Sequence, residues 1–425
     1  MPYVRRVLDE ELDQLFGQIA AIAIDGAKGV GKTTTAEQRV RAVVRLDSKA
    51  VRESISAEPE QVLDRGRPIL IDEWQKVPEV WDVVRRAVDA DADAAGGQFL
   101  LTGSATPAPG ATAHSGAGRI GRLRMRPMAL IERGVCTPTV SLAALLSGAR
   151  ELLSGNCPLR LADYVDEIID SGLPALRGLT GRALRFQLDS YLHNAVDRDV
   201  PEQGLAVRKP AAMLAWLRSY AAASATTASY SQILDAATPG DVDKPARSTS
   251  ISYREVLTSL WLLDPVEAWT PGGNALTRLA QSPKHHLADP ALGVRLLGLR
   301  REALLDGEGR PVGPQSGTLL GHLFESLATM CIRVPAQAAE ARVAHLRTRN
   351  GDHEIDLVAI RDDGRILAIE VKMASSIDDR DARHLRWIAE RMGSDLLDAI
   401  IVNTGPNAYR RPDGIGVVPL GLLGP

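Results

Sequence analysis

The sequence predicts an α/β protein with a parallel-sheet domain first, a helical middle next, and a second, smaller α/β unit last. Three observations carry this. Over residues 1 to about 135, short apolar runs (AAIAI, PILI, FLL) alternate with helix-like stretches, the pattern of strands and helices around a parallel sheet. From about 140 to 283, segments such as ALRFQLDSYLHNAVDRDV and KPAAMLAWLRSYAAASA repeat apolar residues every three or four positions. From about 284, a helix around GHLFESLATM precedes two alternating strands, HEIDLVAI and RILAIEVKM, then a helix and a strand AIIVN. The expected divisions are 1–140, 141–283 and 284–425, and a chain of 425 residues is longer than one core usually organises.

Composition narrows the class without naming a partner. Hydrophobic residues at 45% and charged residues at 24% belong to an ordinary folded protein, which excludes a disordered or fibrous one. A net charge of -3 gives no global attraction to nucleic acid or anionic lipid, so any phosphate binding must be local. The three cysteines, Cys136, Cys157 and Cys331, match no zinc spacing and are too few for a disulfide framework. The N-terminus MPYVRRVLDEELDQLF lacks the uninterrupted apolar core of a signal peptide, and no later run reaches the ~18 apolar residues of a membrane helix. A soluble, cytoplasmic protein with no membrane partner is expected. The Gly/Ala/Pro-rich tract at 105–118 reads as a mobile loop.

The first element with chemistry is GAKGVGKT at 26–33, directly after the strand-like AAIAIDG. A phosphate loop needs glycines where its amides curl around an anion, a lysine for the outer phosphates and a hydroxyl for magnesium. Gly26, Gly31, Lys32 and Thr33 supply these in order. Ala27, Lys28, Gly29, Val30 and Thr34 complete the stretch, and TTAEQRVRAVV can open a helix facing the phosphates.

A second acidic site is expected at the end of a neighbouring strand, and PILIDEWQ provides Asp72 with Glu73 beside it. Asp72 would hold magnesium through water, and Glu73 would orient the attacking water, since phosphoryl transfer is mostly positioning and charge stabilisation. In QFLLTGSAT, a third strand ends in Thr102, Gly103 and Ser104; Ser104 is the first choice for a γ-phosphate sensor, with Thr102 next. Arg119 and Arg122 in GRIGRLRMRP are candidates to neutralise transition-state charge, within the chain or from a neighbouring subunit of a homo-oligomer.

In the middle, ASYSQILDAATPGDVDKPARSTSISYREVLTSLWLLDPVEAW reads as a helix, a Gly/Pro-rich turn, a helix capped near Ser250 or Ser252, and an apolar run. A winged helix-turn-helix has this form. Trp216, Trp261 and Trp269 are expected to pack this helical part, and His285 and His286, beside Lys284 and Asp289, to sit at a domain junction.

The set GAKGVGKTT, PILIDEWQKVP, FLLTGSAT, GRIGRLRMRPMALIE, SPKHHLADPAL and the C-terminal hairpin resembles a family of bacterial and archaeal AAA-type ATPases in which a domain of unknown function follows the ATPase core. The resemblance spans nearly the whole chain. It implies ATP binding at Gly26 to Thr33, magnesium and hydrolysis roles for Asp72 and Glu73, a supporting role for Gln75 and a sensor near Ser104. That family usually carries Pro-Arg after the first loop glycine, where this chain has Ala27 and Lys28; a basic residue is kept.

The resemblance also implies a restriction-endonuclease-like C-terminal domain of the PD-(D/E)XK type, holding Mg²⁺ with Asp356 and Glu370 and placing Lys372 two residues on to position water. A three-residue loop, Asp362-Asp363-Gly364, would pair Arg361 with Arg365 and so Asp356 with Glu370. Directly opposed residues project about 5 Å apart at Cβ on one face, and Lys372 shares it because strand side chains alternate. Ile355, Leu357, Ile369 and Val371 would face the core. Glu325 is a fourth ligand on the strength of the resemblance.

Three readings of the hairpin stay open: a metal-dependent nuclease, a surface hairpin neutralised by Lys372, and a metal-binding fold that cuts nothing. The function expected first is Mg²⁺-dependent ATP hydrolysis coupled to a nuclease-like domain acting on DNA or RNA. The alternative is a nucleotide-operated switch whose C-terminal domain binds a partner without cleavage. A regulator working through the helix-turn-helix alone is the third.

Overall fold

A computed structural model of the chain describes residues 3–90, 96–106, 116–237, 246–271, 282–305, 316–348 and 351–425. Most of the tract expected to be a mobile loop, and the turn of the expected helix-turn-helix, lie outside these residues.

After α1 (Val7–Phe16), the first sheet is formed by β1 (Ala21–Asp25), β2 (Ala42–Arg45), β3 (Ile69–Asp72), β4 (Phe99–Gly103) and β5 (Ile120–Arg124), connected through α2 (Lys32–Glu37), α3 (Lys49–Ala57) and α4 (Glu79–Ala90). The spatial order is β2-β3-β4-β1-β5, and all four pairings are parallel. Every residue of β1, β3 and β4 is buried, which is why these strands read as continuous apolar runs: a parallel sheet is covered on both faces. Because β4 lies between β1 and β3, Asp25 pairs with Gly103 and Thr102 with Asp72. Three polar strand ends therefore share one edge, the edge at which open α/β sheets bind ligands.

The chain continues through β6 (Val140–Ser141), α5 (Leu142–Ser147), α6 (Leu161–Ile169), α7 (Gly181–Asn194), a π-helical turn (Ala195–Asp199), α8 (Val200–Glu202), α9 (Pro210–Ala222), α10 (Tyr230–Ala237) and α11 (Arg247–Ser259). Next come α12 (Pro290–Leu296) and α13 (Arg301–Leu305). Trp216 is fully buried and stacks on Tyr220 with ring centroids 5.5 Å apart. The expected cap at Ser250 or Ser252 is not found: α11 begins three residues before Ser250, whose oxygen accepts instead from the Trp216 indole at 2.8 Å.

The last unit opens with α14 (Ser316–Ala338), followed by β7 (Arg342–Arg347), β8 (Glu354–Ile360), β9 (Ile366–Lys372), α15 (Arg383–Met392), β10 (Leu396–Asn403), β11 (Tyr409–Arg410), β12 (Gly416–Pro419) and β13 (Leu423–Gly424). Its mixed six-stranded sheet has the order β11-β12-β10-β9-β8-β7, with β9, β10 and β12 parallel to one another. Strand β13 pairs with β6, and Val140, Leu142, Leu145 and Leu146 share a core with Leu397, Ile400 and Leu422. The stretch 140–157, assigned to the helical middle by sequence, thus belongs spatially with the last sheet. Trp269 also leaves the middle, since its amide bonds to the His345 carbonyl at 2.7 Å and its ring joins the core beneath β7 and β8. Among the described residues, no helix is long and apolar enough to cross a membrane.

Candidate functional site

The loop between β1 and α2 is shaped by its glycines. A Cβ on Gly26 would stand 2.2 Å from the Met125 carbonyl oxygen, and Gly31 has φ +105°, a conformation that side chains oppose. Lys32 is buried, and its ammonium donates to the Gly26 and Ala27 carbonyls at 2.7 and 2.9 Å. Burial pushes Lys32 down to about 8, against the nearby charges of Glu73, Asp72 and Asp25. A phosphate offered to this ammonium would replace weak carbonyl partners with a charged one.

Asp72 accepts from Thr33 Oγ1 at 2.8 Å and from Thr102 Oγ1 at 2.5 Å. Thr33 and Asp72 thus present adjacent hard oxygens, the donor type magnesium takes. Next to them, Ser104 Oγ donates to Glu73 Oε2 at 2.7 Å, and Gln75 Nε2 reaches Glu73 Oε2 at 2.5 Å and Ser104 Oγ at 3.2 Å. Glu73 itself has φ +56°, a left-handed conformation that costs a non-glycine residue about 1–3 kcal/mol and clusters at functional sites. Lys32, Thr33, Asp72, Glu73, Gln75, Thr102 and Ser104 are therefore brought together.

The arginines divide. Because β5 runs parallel to β1, Arg119 precedes the strand at the opposite edge of the sheet from the phosphate loop, paired with Asp89. Action of Arg119 within its own subunit is excluded by strand direction. Arg122 reaches Asp25 Oδ2 at 2.8 Å and is committed to that carboxylate.

Beside the loop lies a cavity of about 860 Å³, lined on one side by Lys28, Gly29, Gly31 to Thr35 and Glu73 and on the other by Tyr3, Val4, Pro174, Arg133 and Arg177. Sequence reasoning missed most of this wall. Arg6 donates to the Val30 carbonyl at 2.8 Å and pairs with Glu132 at 3.0 Å, clamping the loop from behind. Arg133 and Arg177 both hold Glu167 at 2.8 Å. The π-helical turn after α7 presents Asp199 to Lys28, and Tyr191 donates to the Lys28 carbonyl at 3.1 Å. Only the turn's position beyond a long amphipathic helix could have flagged it, since π-turns favour functional sites.

In the last unit, the hairpin has the expected register near its turn, where Arg361 N bonds to the Arg365 carbonyl at 3.0 Å, Gly364 has φ +81° and Leu357 pairs with Ile369, but the ladder ends there and does not include the expected pairing of Asp356 with Glu370. Asp356 Oδ2 accepts from the Val371 amide at 2.9 Å, and Glu370 pairs with Lys372 at 2.8 Å. Ile355 departs from expectation. A register shift between β7 and β8 turns it into the core with Val358 and Ile360, while Leu357, Ile369 and Val371 line the other core. Glu325 meets the cluster, but through an unforeseen residue: Lys284 Nζ lies 2.7 Å from Glu325, 2.9 Å from Asp356 and 3.2 Å from Glu354. Burial alone would depress this ammonium; Asp356, Glu325 and Glu354 outweigh it and hold Lys284 well above the usual lysine value. Burial raises Glu370 well above the usual range, with Asp356 adding to it. His285 and His286 are buried at the junction, with His285 bonded to the Ala228 carbonyl and His286 to Ser326.

Three family models match parts of the chain. Residues 18–133 match the family described as AAA domain. Residues 161–303 and 320–423 match two families described as domains of unknown function, DUF8612 and DUF4143. A solved structure, the Walker-type ATPase of Pyrococcus abyssi, aligns over 68% of this chain and 94% of its own, at 14% identity and a TM-score of 0.40. No curated protein matches the chain.

Proposed function

We propose that the chain is a Mg²⁺-dependent ATPase whose nucleotide state is passed to its middle and last units. The observation that carries this is the convergence of Lys32, Thr33, Asp72, Glu73 and Ser104 at adjacent strand ends, within an AAA domain. Lys32 leaves its loop carbonyls for the outer phosphates of ATP. Thr33 and Asp72 are the residues to hold magnesium, which when bound neutralises charge on the phosphates. Glu73, aligned by Ser104 and Gln75, orients the attacking water. Arg119, exposed on the far edge, is available only to a neighbouring subunit, which makes a homo-oligomer part of the proposal, as is a cytoplasmic location. The pair α10 and α11, with the bridges Leu263 to Leu287 and Val266 to Lys284 behind it, supports a winged-helix reading in which this segment meets DNA or RNA or relays the nucleotide state. The test is ATP turnover with and without DNA in the unaltered chain, Lys32→Ala and Glu73→Gln; turnover unchanged by both substitutions would sink the reading.

For the output, two readings compete: cleavage of nucleic acid, and partner binding without cleavage. The buried Lys284 amid Glu325, Glu354 and Asp356 favours the second, because an ammonium already occupies the ground between those carboxylates. The residues as arranged do not fit a metal nuclease. Failure to cut any nucleic acid across metals and nucleotides is the expected result, and Asp356-dependent cleavage would restore the first.

A further inference from the structure

Glu325 of α14 and Glu354 and Asp356 of β8 meet at the Lys284 ammonium, and Glu370 of β9 lies near enough to Asp356 for the two carboxylates to repel. Converging carboxylate oxygens around a buried centre are what a hard divalent cation takes. Here the centre is an ammonium. It donates to Glu325 and Asp356, with Glu354 an ion-pair partner at 3.2 Å, and the Lys284 side chain is 1% exposed. Glu370, buried to 2% exposure, has one oxygen on Lys372 while its other, Oε1, has no hydrogen-bond partner. Among the described residues, no group of three His, Cys, Asp or Glu side chains is disposed to hold a metal as it stands.

Lys284 is also the end of a strap. Its backbone exchanges two 2.9 Å bonds with Val266; the His286 carbonyl accepts from the Asp264 amide, and Asp289 accepts from Ser171 Oγ and the Gly172 amide at 2.7 Å each. Pro174, Ala175 and Arg177, just beyond, line the nucleotide cavity. A shift of that wall has a short covalent and hydrogen-bonded route to Lys284.

We propose that the Lys284 ammonium is the resident cation of this cluster and keeps closed a latent divalent-cation site formed by Glu325, Asp356 and Glu370, which a hard ion enters only when the lysine is withdrawn. The inference does not depend on the ATPase reading. It is tested on the full-length, nucleotide-free chain carrying Asp72→Asn, which removes the phosphate-loop carboxylate, by the paramagnetic resonance signal of free Mn²⁺. The parent and its Asp356→Asn derivative are expected to bind Mn²⁺ equally. Lys284→Met is expected to gain one Mn²⁺ per chain, at least about tenfold tighter than the parent once a contacting positive charge is gone. Adding Asp356→Asn should abolish that gain, and Lys284→Arg should behave as the parent. Asp356-dependent Mn²⁺ binding in the parent overturns the proposal even if Lys284→Met does not fold. A folded Lys284→Met chain with no additional Mn²⁺ also overturns it.

Discussion

Asp264 sits among three arginines: Arg124 stands at 3.2 Å, Arg126 at 2.9 Å and Arg333 at 2.9 Å, and its side chain is 8% exposed. Burial alone would raise this carboxyl; the three guanidinium groups reverse that and hold it far below the usual range. Asp264→Ala leaves three partly buried cations without this counter-ion, and removing one partner of a buried pair costs about 3–5 kcal/mol. Unfolding entropy near 2.1 cal/mol/K per residue gives about 0.9 kcal/mol/K if the whole chain melts together, and about 0.3 if some 140 residues melt first. The melting temperature should therefore fall by about 3–6 °C in the first case and about 10–17 °C in the second. Circular dichroism on heating at neutral pH reads it. A lowered carboxylate pKa contributes stability above the unfolded value of 3.8, lost only as pH falls through the still lower folded value. The gap between wild type and variant should thus be constant from neutral pH down to about 5. A shift under about 2 °C, or a gap that closes over that range, refutes the reasoning.

At the phosphate loop, Lys32→Ala should weaken ATP binding by about 10- to 150-fold, the worth of a hydrogen bond to a charged group, measured by calorimetry. Because burial brings Lys32 down to about 8 from 10.5, ATP binding should take up a proton above pH 8 and weaken by up to about tenfold per unit, while the nucleotide-free chain gains stability from 8 to 10.5. Affinity flat across that range would count against it. Glu73→Gln should keep ATP binding and cut turnover by about 10²–10⁴. Glu73→Gly should relieve the left-handed backbone by about 1–2 kcal/mol, raising thermal stability while turnover is lost; a lower melting temperature would show that the Ser104 and Gln75 bonds outweigh the strain.

What could be read from the sequence is what short-range chemistry determines. Strands β1, β3 and β4 were visible because a strand buried on both faces is apolar throughout. The hairpin register was visible because Gly364 at a three-residue loop permits one pairing, which Leu357 and Ile369 follow. Which of the two settings expected for Arg119 applies, within the chain or from a neighbouring subunit, was not legible because adjacency to the sensor strand says nothing of direction; a parallel neighbour returns the chain to the far edge before β5 begins. Lys284 was passed over because its three carboxylate partners lie 41 to 72 residues downstream, in a helix and a strand whose docking no local periodicity encodes. The same holds for Arg6, whose partner Glu132 is 126 positions away along the chain. The stretch 140–157 looked like part of the helical middle because α5 is amphipathic, and which core takes its apolar face is settled only by β13 pairing with β6.

A nucleotide can shift this structure only through contacts that differ between its states. Lys32 is one, since its bonds to Gly26 and Ala27 must break for it to reach a phosphate. Arg177 is the other with reach. It stands in the cavity wall while sharing Glu167 with Arg133, so an anionic ligand competes with a carboxylate for one guanidinium. Glu167 lies on α6, three residues from Tyr164, whose ring meets Phe324 of α14 edge-on at 5.4 Å. Phe324 is the immediate neighbour of Glu325, which holds Lys284. An anion bound in the cavity would thus have two routes to the acidic cluster, through the strap at Asp289 and through α6 on α14. Loss of nucleotide-dependent change at Lys284 in Arg177→Ala, with ATP binding retained, would identify the second route as the one in use.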